Sequence, residues 1–155
     1  MTQGIIPAVA VVIFNEEDPS LVLIVTHGPE AGHPTGIDGV PEGRLEEDET
    51  HIEAAIREVW QETDLQIKAE DLVEIGHIDR IEVERKDGGT LVGSCTGFLC
   101  KGYEGTIRSE NGETTPKWIP INEVLREGHW LVNGTREVLG SALRERGRIS
   151  RERER

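Results

Sequence analysis

Gly43-Arg-Leu-Glu-Glu-Asp-Glu49-Thr-His-Ile-Glu-Ala-Ala-Ile-Arg57-Glu58-Val-Trp-Gln61-Glu62-Thr-Asp64-Leu65 is the most informative stretch of this 155-residue chain. Thr50 followed three residues later by Glu53 is a capping box, and it predicts a helix over Thr50–Thr63. Ile52, Ile56, Val59 and Thr63 fall on one stripe, the expected core face. With Glu58 set at zero and about 100° per residue, Glu62 lies near +40° and Gln61 near −60°. These three residues are expected as a polar cluster off the core face, and Ala54 and Ala55 one turn earlier leave room beside them. Two carboxylates four residues apart on a helix repel by a few tenths of a kcal/mol, and a divalent cation reverses that sign.

Outward from this stretch, two β-rich runs, Ile5–Phe14 and Leu21–Thr26, are separated by Asn-Glu-Glu-Asp-Pro-Ser. A Gly/Pro-rich loop carrying His27 and His33 then leads to Gly43. After the helix, Leu72–Lys86 and Thr90–Lys101 flank Asp87-Gly88-Gly89, a hairpin signal. Ile81 and Val83 alternate there with Arg80, Glu82 and Glu84, so one face is wet. A polar loop over Gly102–Lys117 leads to Trp118-Ile-Pro-Ile121, then a short helix over Glu123–Glu127 capped by Asn122. A last helix is expected over Thr135–Leu143. The order is not a regular βαβ alternation and suggests a mixed sheet with helices on both faces. We read residues 1–143 as one domain and 144–155 as a charged tail, frayed or disordered.

The formal charge of −13 excludes a general nucleic-acid binder, which needs a basic face. The tail holds six Arg and three Glu, so the body before it carries −16. Such a body repels a bare anionic substrate unless a metal ion mediates. Cys95 and Cys100, five residues apart, fall on opposite faces of a strand, which disfavours a local disulfide and suits a reducing cytoplasm. The longest apolar run, Ile5–Phe14, has 10 residues, too short for a membrane span. No signal peptide is read.

The central stretch resembles the Nudix box, G-x5-E-x7-R-E-U-x-E-E-x-G-U with U apolar. Gly43, Glu49, Arg57, Glu58, Val59, Glu62 and Leu65 match in register. The N-terminal strand pair and the late Glu113–Leu125 segment resemble the same family, so the likeness covers most of residues 5–143. It implies an α/β/α sandwich on a mixed β-sheet. It also implies hydrolysis of a phosphoanhydride in a nucleoside diphosphate linked to another moiety, with Mg²⁺ or Mn²⁺. By that resemblance Glu58 and Glu62 are metal ligands or bases, Arg57 orients them through Glu49, and Glu113 is an extra ligand or base. The Glu42 backbone carbonyl and the Gln61 amide oxygen join the metal set, and Gly43 and Glu49 are structural.

Four positions depart from the pattern. Gln61 stands for the first Glu of the Glu-Glu pair, Asp64 for the Gly after the helix, Glu42 for a Gly before Gly43, and Asp48 for the Gly before Glu49. The alternative they raise is a catalytically weakened Nudix-like domain that binds a nucleotide or regulates. An acidic adaptor without a metal effect is the third reading.

Arg44 is a candidate phosphate contact or a surface partner of Glu46 or Glu47. His27 and His33 read as polar loop residues, with a phosphate contact as the alternative. Arg80, Arg85 and Lys86 read as solvated hairpin charges, Trp60 as packing and Trp118 as core. Tyr103 and Trp130 are candidates for stacking on a base. Expected partners are a nucleotide-type small molecule, no nucleic-acid polymer and no membrane. Exposed hairpin arms are compatible with a homodimer.

Overall fold

The structure is a computed structural model describing residues 4–154; Met1–Gln3 and Arg155, the ends of the expected domain and tail, lie outside the described residues. Seven strands and three α-helices follow in the order β1 (Ile6–Ile13), β2 (Leu21–His27), β3 (Asp38–Gly39), β4 (Glu42–Arg44), α1 (His51–Thr63), β5 (Leu72–Glu84), β6 (Thr90–Cys100), β7 (Thr114–Pro120), α2 (Ile121–Val124) and α3 (Thr135–Arg153). They form a four-stranded sheet, β4-β1-β6-β5, and a three-stranded sheet, β3-β2-β7. The first is mixed, with β1 parallel to β6 and antiparallel to β4. The second is antiparallel throughout.

β1 explains the layering. Its Val9, Val11 and Ile13 pack with Leu23, Phe98 and the α1 residues Ala54, Ala55 and Val59. Its Ala10 and Val12 face the opposite way, onto Val138, Leu139 and Ala142 of α3 and Ile121 and Val124 of α2. A strand covered on both faces reads as a continuous apolar run, and Ile5–Phe14 does. The α/β/α arrangement and the expected hairpin are both present. Cys95 and Cys100 are free and lie in the two opposite core clusters. Burial raises both thiols, to about 12 and about 11, so neither is a reactive thiolate.

Several local expectations are corrected. The two N-terminal strands lie in different sheets and meet through a bridge between Phe14 and Val22. The loop expected as far as Lys117 becomes strand at Thr114, because β7 pairs with β2 from His27↔Thr114 to Leu21↔Pro120. The short late helix begins at Ile121 rather than Glu123, and no side chain caps it.

The largest correction concerns the tail, which continues α3 to Arg153. Leu139, Ala142, Arg146 and Ile149 form a stripe that a reading of apolar residues alone does not register. The Arg146 guanidinium sits 3.8 Å over the Phe14 ring and donates to the Pro19 carbonyl at 2.7 Å. Ile149 packs on the core, and Arg148 bridges Glu145 and Glu152 on the outer face. A cation–π contact and a buried aliphatic stem each favour order by about 1 kcal/mol. Arg146→Ala is therefore expected to lower unfolding stability by about 1–2 kcal/mol. It should also speed amide exchange over residues 144–153 and leave α1 protection unchanged, which hydrogen–deuterium exchange would read out.

Candidate active site

α1 starts where the sequence places it. Thr50 accepts from the Glu53 amide at 3.1 Å and the Glu53 carboxylate accepts from the Thr50 amide at 2.9 Å. The buried arc is rotated from the expected stripe. Ala54, Ala55, Val59, Glu62 and Thr63 are buried, whereas Ile52 is 39 % exposed. On the helical wheel that arc runs from about −40° to +140°, so Glu58 and Glu62 point into the interior rather than off the core face. Two alanines in this arc let the helix approach the sheet closely.

Each of these two carboxylates, Glu62 buried and Glu58 partly buried, has a specific holder. One Glu62 oxygen accepts the Glu42 amide of β4 at 2.8 Å. Burial, then the nearby Glu58 charge, push its carboxyl well above the ordinary range. Burial also raises Glu58, opposed by a 2.5 Å ion pair with Arg57. Gly43 is the floor: a Cβ there would land on the Glu58 carboxylate. β4 pairs with β1 through Val9↔Gly43, which fixes this glycine in register.

Arg57 is the hub. Its Nε and Nη2 make a two-pronged contact with Glu49 at 2.8 Å each, Nη1 reaches Glu58, and Nη2 also donates to the Arg44 carbonyl at 2.9 Å. The Gln61 amide oxygen, expected to face a metal, instead accepts from Arg57 Nη1 at 3.2 Å on the exposed side. Arg57 holds the Glu49 carboxyl at about 2.

A cavity of about 500 Å³ opens beside Glu58. Arg44, Glu42, His33 and Arg85 line it, with Ile81, Val83, Leu91 and Val138 as its apolar wall. Arg44 thus reaches the cavity, and the alternating face of β5 supplies its wall. Arg85 lines the same space, while Lys86 bonds the Pro29 carbonyl and ties the hairpin to the Gly/Pro loop. Trp118 is half-buried against the α1-side core, Trp60 is 49 % exposed, and Trp130 is 51 % exposed away from this cavity.

Glu113 is not joined to Glu58 or Glu62 by any hydrogen bond or ion pair among the described residues, and it is exposed. Its neighbour Thr114 does reach α1, donating to the Glu62 carbonyl at 3.4 Å. Arg108 braces that junction, donating to the Gln61 carbonyl at 3.0 Å and the Thr114 carbonyl at 3.1 Å. Sequence reasoning missed Arg108, because a single Arg in a polar loop carries no spacing signal. It also read His27 as a polar loop residue, whereas His27 ends β2, is 4 % exposed, and is lowered to about 4 chiefly by burial.

The comparisons agree with this geometry. A family model, NUDIX domain, matches residues 4–138. The chain belongs to the NUDIX family, the class of Nudix-type pyrophosphohydrolases. Among similar solved structures is the MutT NUDIX hydrolase of Burkholderia pseudomallei, at 16 % identity and TM-score 0.68, covering 90 % of this chain and 98 % of that one. Another is the NUDIX domain of Shewanella oneidensis NrtR complexed with ADP ribose, at 22 % identity and TM-score 0.68, covering 94 % and 90 %. A bifunctional NMN adenylyltransferase/ADP ribose pyrophosphatase of Francisella tularensis, complexed with AMP and a Mn ion, has 18 % identity and TM-score 0.65 over 93 % of this chain and 42 % of that one. No curated protein matches the chain in sequence. No helix among the described residues is long and apolar enough to cross a membrane.

The Arg57–Glu49 clamp gives a pH test. Because the Glu49 carboxyl falls from an ordinary 4.5 to about 2 on folding, its stabilisation is complete above about 4.5 and disappears as pH falls toward 2. The difference in thermal midpoint between the wild type and Glu49→Gln should be constant from pH 7 to pH 5 and shrink to zero near pH 2. A difference that stays constant across the range would refute the clamp.

Proposed function

We propose that the chain hydrolyses a phosphoanhydride bond in a nucleoside diphosphate linked to another moiety, with the help of Mg²⁺ or Mn²⁺. The observation that carries this reading is a pair of carboxylates one helical turn apart: Glu62 is buried, and the partly buried Glu58 lines a cavity that Arg44 also lines. A buried carboxylate beside a partly buried one is unfavourable without enough countercharge, and one guanidinium already shared with Glu49 does not neutralise both.

The donor set fits a hard divalent cation. It offers Glu58, the Glu62 oxygen not used by the Glu42 amide, and the nearby Glu42 carbonyl, all oxygen. Such an ion would neutralise the diphosphate and lower the pKa of a water molecule for attack on phosphorus. Gln61 is turned to Arg57 and would contribute only by leaving that partner.

The remaining roles belong to the protein. Glu58 and Glu62 hold the ion, and Arg57 and Glu49 fix Glu58 against Gly43. Arg44 faces the same cavity and binds a substrate phosphate. Ile81, Val83 and Leu91 exclude water around the organic part of the substrate. Glu113, the further base that the resemblance implies, lies outside the cavity on a loop held by the Gly28 and Glu30 amides, so the proton of the attacking water falls to Glu58 or Glu62. The products are two phosphate monoesters, as water adds to one phosphorus and the bridging oxygen leaves with the other.

The test is hydrolysis of a panel of nucleoside diphosphate derivatives, including ADP-ribose, dinucleoside polyphosphates and nucleoside triphosphates, with Mg²⁺ and with Mn²⁺. Turnover should require the metal and fall at least a hundredfold in both Glu58→Gln and Glu62→Ala. Metal-dependent nucleotide binding without turnover on any substrate would replace the hydrolase by a binding domain.

A further inference from the structure

We propose that His27, His33 and Glu42 form a second cation site, separate from the paired carboxylates and selective for a borderline transition metal such as Zn²⁺ or Co²⁺. One donor atom from each of the three residues lies within 4.8 Å of the other two. Around a tetrahedral zinc the donors stand roughly 3.3 Å apart, so small side-chain rotations close the set. Two imidazoles and one carboxylate are a donor set for Zn²⁺, Co²⁺ or Ni²⁺ and a poor one for Mg²⁺, which demands oxygen.

The second observation is independent of the clustering. His27 Nε2 and His33 Nδ1 are buried and have no hydrogen-bond partner. His27 is 4 % exposed. A buried ring nitrogen left without a partner costs about 1–3 kcal/mol, and native proteins retain few such groups. The two rings lie 4.3 Å apart at 47°, packed against each other with the unpaired nitrogens left over. His33 Nε2 contacts a Glu42 carboxylate oxygen at 2.8 Å, which orients both side chains. A cation bound here would satisfy the free His27 nitrogen, with His33 and Glu42 turning the two atoms of their 2.8 Å contact onto the same ion.

The surroundings permit a cation. Glu42 and Asp38 supply negative charge near His27, against the Arg85 guanidinium, which packs on Gly32. His33 and Glu42 also line the open cavity, so an ion has a path in. The site would add a further tie between the end of β2, the Gly/Pro loop and β4, beyond the His27–Ile37 and Gly36–His27 backbone bonds and the His33–Glu42 contact. It would also fix Glu42, whose amide holds Glu62, so the two sites share one residue through different groups: side chain here, main chain there.

Equilibrium dialysis of the full-length, chelator-treated chain against Zn²⁺ and against Co²⁺, each with a large excess of Mg²⁺, tests the proposal without substrate. The expected result is one bound ion per chain that Mg²⁺ does not displace, with visible Co²⁺ absorption of nitrogen-ligated character. His33→Gln and Glu42→Gln should each weaken that binding at least tenfold and remove the Co²⁺ bands. Glu58→Gln, which removes a paired carboxylate without touching the Glu42 amide, should leave both intact. His33 lies in a loop and Glu42→Gln keeps the main-chain amide, so both variants are expected to fold, with circular dichroism as the check; the more buried His27→Gln serves as a third variant. Absence of Mg²⁺-resistant binding would overturn the site, as would equal affinity in folded His33→Gln. Loss of binding in Glu58→Gln alone would place the ion at the paired carboxylates instead.

Discussion

The site depends on what Arg57 does with three of its nitrogens. A guanidinium is planar and always charged, and its fork matches a carboxylate in two places at once. Here the fork grips Glu49 while the third nitrogen reaches Glu58. Glu49 precedes α1 and Glu58 is two turns into it, so one side chain fixes the approach of the loop and the pose of the inner carboxylate together. The contact with the Arg44 carbonyl adds β4 to the same assembly. Removing Arg57 would leave two carboxylates repelling each other beside two more, a larger penalty than the loss of one surface ion pair.

Space is the second constraint. Glu58 needs a neighbour without a Cβ, and Gly43 is that neighbour. Glu62 needs a helix seated close to the sheet, which Ala54 and Ala55 permit. The box is thus a volume specification as well as a charge pattern: glycine and alanines create room, and glutamates occupy it. This explains why Glu62 is buried while the larger and more apolar Ile52 is exposed.

The same logic shows what was legible in the sequence. The capping box, the hairpin turn and the β-rich run that becomes β1 are local signals, and each appears where expected. The spacing of Glu58, Gln61 and Glu62 named a polar cluster off the core face; Glu58 and Glu62 turn inward instead, and Gln61 turns to Arg57 on the exposed side. The rotation of the buried arc was not legible, because a hydropathy wheel assigns carboxylates to solvent and cannot register that Gly43 and the Glu42 amide await them. The α3 extension was hidden for a related reason, since its anchor is an arginine stem over Phe14 rather than an apolar residue. Arg108 and the histidine cluster were out of reach, because the first takes its meaning from Gln61, 47 residues away, and the second from the path of a loop.

The departures from the family pattern divide along physical lines. Asp64 has φ of 70° and Asp48 has φ of 63°, so both acidic residues occupy left-handed turns where the pattern has glycine. Asp is among the few non-glycine residues that adopt this region without a severe penalty, so backbone geometry survives the exchange. The Asp64 amide still closes α1 by donating to the Trp60 carbonyl. Gln61 is different in kind, because it removes a charge. Arg57 must answer Glu49 and Glu58, and a third carboxylate at 61 would compete for the same nitrogen that the amide oxygen now shares. With Gln61 the guanidinium answers one carboxylate fewer, beyond Glu49, Glu58 and the more exposed Glu46, which firms its hold on Glu58 and lessens repulsion with Glu62. The exchange gives up one potential anionic ligand and leaves Glu58 and Glu62 as the pair on which any bound cation must rest.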